Sequence, residues 1–195
     1  MKFVIINKRR LGVTIIIVGL MFILLGFEKH FEDRLKHTVL IQNNINSLVK
    51  YDGLNKKLSY KLPEEWSAKE QKFSGNEIIY HNDFISKDYK IHGFVEVWNS
   101  SRDLRTFLEE SKKVSSEQNL YKAYKVEPIT VNSSGGYLVK YIILTPDDIE
   151  YNGYEYFIRG DGKFFRFSFF VKKDDFKEDM SVIFENIVKT LNYES

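Results

Sequence analysis

The polarity of this chain changes period several times. From Leu11 to Phe27 it does not alternate at all: these 17 residues are apolar or small, and Thr14 is the one hydroxyl among them. At about 1.5 Å per residue a helix of this length spans roughly 26 Å, near the lower limit for crossing a bilayer. Residues 28–46 mix two patterns. Phe31, Leu35 and Val39 follow helical spacing, while Val39-Leu40-Ile41 reads as a short strand, so this stretch is a juxtamembrane connector. From residue 47 onward, period 2 dominates. Strands are expected at 47–51 and 58–62 around Asp52-Gly53, with Leu58, Tyr60 and Leu62 alternating against Ser59 and Lys61. The next pair is 77–82 and 91–98, where alternation puts Phe94 and Trp98 on the face opposite Val95 and Val97.

The period then turns helical. Leu104, Phe107, Leu108 and Ser111 mark a helix from about 102 to 117, opened by Ser100 and Ser101. Strands follow at 124–131 and 136–145 around Ser133-Ser134-Gly135. Two more, at 154–159 and 163–172, are joined by Gly160-Asp161-Gly162. Phe176, Met180, Ile183, Phe184, Ile187, Val188 and Leu191 form a final apolar stripe between Asp175 and Asn192. Consecutive hairpins with two separated helices indicate an α+β domain, an antiparallel β-sheet flanked by α-helices, over 47–195 after one N-terminal transmembrane helix.

Charge sharpens the reading of the first segment. Lys2, Lys8, Arg9 and Arg10 precede the apolar run and no acid does, whereas Lys29, Arg34 and Lys36 follow it. Residues 1–10 are therefore a short cytoplasmic basic tail, 11–27 is the membrane helix, and the domain faces outward. The exit reads Gly26-Phe27-Glu28-Lys29-His30, the first alanine is Ala68, and there is no cysteine. Neither an Ala-x-Ala cleavage site nor a lipidated cysteine is available, which favours an uncleaved anchor. Gly12, Gly19 and Gly26 share one helix face, a pattern that suits self-association or a partner helix. From Glu28 onward 25 basic residues stand against 27 acidic ones. The small overall positive charge is an anchoring signal, and nucleic acid is excluded as a partner.

Leu58-Ser59-Tyr60-Lys61-Leu62-Pro63-Glu64-Glu65-Trp66 resembles the opening of PsbP-like domains, where a strand runs into a Leu-Pro-x-x-Trp turn. Gly93-Phe94-Val95-Glu96-Val97 before a helix, and a closing helix around Ile183-Phe184-Glu185-Asn186-Ile187-Val188, follow the same order. The resemblance spans about 47–193 and implies an antiparallel sheet flanked by helices. It also implies binding or assembly without catalysis, since relatives include an extrinsic photosystem II subunit and a nuclear-import factor that binds a small GTPase. No functional residue of that family carries over to a position here.

Candidate chemistry is sparse. A hairpin of 77–82 with 91–98 would bring His81 and His92 face to face, with Asp83 on the same side, as two histidines and a carboxylate for a metal. A slip of one residue would separate them, leaving ordinary surface histidines. Asp148-x-Glu150-x-Asn152-Gly153 imitates half of a calcium loop, but the position of its bidentate glutamate falls on Arg159. Arg159-Gly160-Asp161 has the simpler use of a hairpin tip, and Asn99 and Asn132 sit in glycosylation patterns. No serine lies in a nucleophile elbow, and thiol catalysis is impossible without cysteine. No catalytic residue and no cofactor is expected.

Tyr154, Tyr156, Phe164 and Phe170 are the candidate aromatic surface for a protein partner. The chain thus reads as a single-pass membrane protein whose outward PsbP-like domain binds a partner or supports an assembly. The alternative is a small-ligand or sensing domain with a pocket between sheet and helix. A metal-dependent enzyme ranks third.

Overall fold

A computed structural model describes residue 45 and residues 47–194. The expected basic tail, the membrane helix with Gly12, Gly19 and Gly26, and the connector up to residue 44 lie outside the described residues. Among the described residues no helix is long and apolar enough to cross a membrane.

The domain opens with β1 (Leu48–Gly53), β2 (Leu58–Pro63), β3 (Ser67–Gln71), β4 (Ile78–Ile85) and β5 (Ile91–Asn99). Helix α1 (Leu104–Gln118) then leads to β6 (Leu120–Val131), β7 (Ser134–Leu144), β8 (Glu150–Gly160) and β9 (Lys163–Lys172). A short 3-10 turn (Lys173–Asp175), helix α2 (Met180–Lys189) and β10 (Asn192–Tyr193) close the chain. Seven strands make one antiparallel sheet in the order β3-β4-β5-β9-β8-β7-β6, and β1-β2-β10 make a second. β5 pairs with β9, so the last hairpin closes back onto the centre of the sheet. The connection from β5 to the outermost strand β6 carries α1 across one face.

Alternation on β9 divides the core. Phe165, Phe167, Phe169 and Val171 are buried towards α2 and the small sheet; Phe169 stacks on Phe184 of α2 with centroids 4.3 Å apart. Tyr60 of β2 meets Phe167 edge-on at 5.7 Å. Its hydroxyl is satisfied by Tyr80 (2.9 Å) and by the Asn82 amide, which donates at 2.6 Å. On the other face Leu104 and Leu108 of α1 pack against Val139, Phe157 and Phe164, with Trp98 and Phe107 alongside.

The sequence pattern and the structure differ at several boundaries, each for a local reason. Gly53 belongs to β1 rather than to a turn, paired with Leu58, and its missing Cβ makes room for the Tyr80 ring, 2.5 Å from where that atom would stand. The turn is instead made by Leu54, Asn55 and Lys56, all at positive φ. Helix α1 is capped by Asp103, whose carboxylate accepts from the Thr106 N–H at 3.1 Å, and not by Ser100 or Ser101. α2 begins at Met180, so Phe176 precedes the helix and stacks on Tyr154 at 5.4 Å. The β6–β7 turn is Asn132-Ser133, both left-handed. The Asn132 amide donates to the carbonyls of Lys189 and Leu191, at 3.0 and 2.8 Å, and so ties this turn to the end of α2. β3 and β10 escaped the pattern: β3 is an almost wholly exposed edge strand and β10 has two residues. At the opposite edge, β6 carries Pro128, which has no N–H to donate.

Two predictions follow from packing and charge. Phe184→Ala should lower the unfolding free energy by about 3–5 kcal/mol in urea titrations, because the emptied space is walled by the sheet. On β6 and β7, Lys125 stands directly opposite Lys140, and Glu127 bridges both, with Lys140 at 2.7 Å. The two lysines hold the Glu127 carboxyl down at about 2, against an ordinary 4.5. A depressed folded value stabilises above the unfolded value and is lost as pH falls through the folded one. Stability should therefore drop between pH 4.5 and 2, and Glu127→Gln should flatten that part of the urea-midpoint profile.

Candidate functional site

Polar chemistry concentrates on the α1 side of the large sheet, at the even positions of β9. There Arg166 stands between Phe164 and Ser168, opposite Glu96 of β5 and Phe157 of β8. Its Nε and Nη2 donate to Glu155 at 3.2 and 2.9 Å, and its Nη1 donates to Glu96 at 3.3 Å. The guanidinium lies over the rings of Phe94 and Phe157, 4.8 and 5.4 Å from their centroids. Burial alone would weaken the arginine's hold on its proton. The charge of Glu155 and then of Glu96 outweighs it and keeps Arg166 above the ordinary arginine range.

Both glutamates are buried, with 5% and 6% exposure. Glu155 also accepts from the Tyr141 hydroxyl at 2.6 Å. Burial, then the neighbouring Glu155, pushes the Tyr141 phenol well above its ordinary value, so it stays a donor. The Tyr141 ring lies where a Cβ on Gly153 would stand, 2.2 Å from one ring carbon, so that glycine makes room for it. Glu96 accepts from Trp98 Nε1 at 2.8 Å and meets His81 Nδ1 at 2.9 Å. His81 Nε2 faces Asp83 at 2.8 Å, and the Gln71 amide donates to the same carboxylate. The network thus runs across six strands, from Gln71 to Tyr141, with almost every donor matched to an acceptor.

Aromatic rings continue the network to the surface. Phe94 stacks on His81 at 5.2 Å and touches Phe170 at 5.9 Å, while Phe73 meets His81 edge-on at 4.8 Å. Phe94 and Phe170 are half-buried and Phe73 is 49% exposed. Two cavities flank Phe170. One, about 390 Å³, is an open groove bounded by Ala68, Asp83, Phe84, His92 and Phe94. The other, about 360 Å³, lies under the C-terminal half of α1 and reaches Glu155 and Arg166.

Of the expected metal set, the structure joins His81 to Asp83 but not to His92. His92 pairs with Ile85, four register positions from the pair His81–Glu96, and its Nε2 contacts the Tyr89 carbonyl at 3.0 Å. The strands run on to Ile85, so the turn is shorter than the spacing suggested and the histidines part. Among the described residues no group of three histidine or acidic side chains is placed to hold a metal ion.

The expected aromatic surface is also redistributed. Tyr156 and Phe164 are buried at 4% and 3% exposure, on opposite faces of the sheet. Tyr154 is half-buried beneath Phe176 and Phe184, and only Phe170 lies on the open face. Tyr154 and Phe164 differ in strand parity once β8 and β9 are aligned, which the turn at Gly160 fixes. The acidic loop is engaged too, since Glu150 pairs with Lys122 and with Lys173. Arg159 pairs with Asp103 at 3.5 Å.

Arg166, Glu96, Glu155 and Tyr141 were the residues that sequence reasoning passed over. Their signal was present: each of the three charges is the sole charge within a run of apolar or aromatic strand residues.

Comparison of the whole domain places the architecture. The solution structure of cyanobacterial PsbP (CyanoP) from Synechocystis is 14% identical with a TM-score of 0.59, covering 77% of this chain and 94% of that one. The domain has a PsbP-like fold. A crystal structure from Bacteroides thetaiotaomicron is 13% identical with a TM-score of 0.52, covering 75% of this chain. This chain spans 48% of that protein's length. No family model and no curated protein sequence matches the chain. The PsbP-like sheet is thus shared with these structures at identities that carry the fold alone.

The central network gives a direct test. Arg166→Met should cost about 3–5 kcal/mol in urea titrations, because two buried carboxylates lose their shared counter-charge. Adding Glu155→Leu should restore part of that loss. A single variant as stable as the native chain would remove the arginine from its central place.

Proposed function

We propose that this chain is a single-pass membrane-anchored protein whose outward-facing PsbP-like domain binds a protein partner or supports a membrane assembly, without catalysis. The observation that carries this reading is the state of the reactive groups. His81, Glu96, Glu155, Arg166 and Tyr141 are committed to one another, and beside them lie the part-exposed rings of Phe73, Phe94 and Phe170. A hydrogen-bonded base under an aromatic surface suits recognition, where large side chains held in fixed rotamers lose little entropy on binding. The basic tail and the apolar run 11–27 support anchoring, which would raise the local concentration of domain and partner at the bilayer.

A second reading, small-ligand binding, is favoured by the 360 Å³ cavity between α1 and the sheet.

Photo-crosslinking in intact membranes separates the first reading from its rivals. A benzophenone side chain in place of Phe170 should capture one defined protein, identified by mass spectrometry, and Phe94→Ala should abolish the capture. The same probe at Lys189 on α2 should not capture it. Equal capture from both positions, or none from Phe170, would overturn docking on this face. Protease added to intact cells should remove the domain; full protection beside an accessible control would reverse the topology.

A further inference from the structure

The stripe that α1 turns towards the sheet changes character halfway along. Leu104 and Leu108 are buried at 2% and 4% exposure, but one and two turns further on the facing residues are Ser111 and Ser115. Apolar packing stops there, and a cavity of about 360 Å³ is left between helix and sheet. An unfilled space of this size beside a close-packed core is costly unless water or a ligand occupies it.

The polar groups around it are unequally engaged. The acceptors are taken: both Glu155 oxygens receive hydrogen bonds from Arg166, and one receives a further bond from Tyr141. The donors are not. Glu109 and Glu110 of α1 pair with Arg105 and Arg102, which leaves Lys112 without an ion pair among the described residues. Its ammonium lies 4.4 Å over the Tyr124 ring instead. The hydroxyls of Ser111 and Tyr124 make no hydrogen bond to another described residue. Burial first, then Tyr121 and Glu155, pushes the Tyr124 phenol up to about 12, so it keeps its proton and can donate. Phe157, Phe170, Val139 and Ile143 supply apolar walls. A cavity with spare donors, one unpaired cation and no free carboxylate is complementary to an acceptor-rich guest.

We propose that the cavity beneath the C-terminal half of α1 binds a small organic oxyanion, a carboxylate or phosphate ester on a ring-sized apolar body. Lys112 supplies the counter-charge, Ser111 and Tyr124 supply hydrogen bonds, and the Arg166–Glu155 pair forms the fixed floor. Leu108, Lys112 and Tyr124 also line an outer groove of about 550 Å³, so the Lys112–Tyr124 contact is the partition between the two spaces. A guest that draws Lys112 off the Tyr124 ring opens the inner cavity to the outer groove.

This inference rests on the small-ligand reading. Calorimetric titration of the full chain in lipid nanodiscs tests it, with phenyl phosphate and benzoate as probes and with benzyl alcohol and benzylamine as uncharged and cationic counterparts. At least one of the two anions should bind, and which one distinguishes phosphate from carboxylate. Lys112→Met should weaken that binding about tenfold and Tyr124→Phe about threefold. Binding unchanged in Lys112→Met would overturn the proposal. Tighter binding of benzyl alcohol or benzylamine would overturn the oxyanion class and leave the small-ligand reading standing. No heat from any probe would overturn both.

Discussion

The guanidinium of Arg166 is the constraint on which the α1 side of the sheet depends. Two carboxylates buried side by side are tolerable only with a cation between them, and Arg166 reaches both from the neighbouring strand. Its position therefore fixes the register of three central strands as firmly as the hydrophobic pattern does. A slip of one residue in β5 or β8 would place Glu96 or Glu155 on the other face, among Phe165, Phe167 and Phe169. Buried ion networks are rarely the cheapest way to gain stability. Their contribution here is specificity, one alignment favoured over its neighbours.

The two faces divide the work. Towards α2 the sheet is closed by aliphatic and aromatic packing, with Phe169 on Phe184 at its centre, and Tyr60, Tyr80 and Asn82 form a self-satisfied polar group there. Towards α1 the cover is partial. The helix packs tightly through Leu104 and Leu108, then stands off over serines, and beyond it Phe94 and Phe170 are left half-covered. One face holds the fold together and the other presents chemistry.

Much of this was legible from residue order. Alternation in Phe165–Val171 identified the inner face of β9, and the Met180–Val188 stripe identified α2, because both are long and repeat without interruption. The Gly160-Asp161-Gly162 tip was legible because Gly162 must adopt positive φ, which few other residues tolerate. β3 was invisible because an exposed edge strand such as Ser67–Gln71 has no apolar face to reveal it. The site was harder for a different reason. His81 and His92 were placed by a guessed turn, and alternation states which face a residue takes without stating which partner it meets. Glu96, Glu155 and Arg166 come from three strands up to 70 positions apart, so only the strand order β5-β9-β8 brings them together.

Pro128 has a bearing on the company this domain can keep. The outermost strand of a sheet is a template for further pairing, and β6 is 12 residues long. An imino acid within it interrupts the row of donors that an arriving strand would need. Neighbouring molecules crowded together would therefore collide at this border without fusing into a continuous ribbon, and the sheet ends where its own chain ends it.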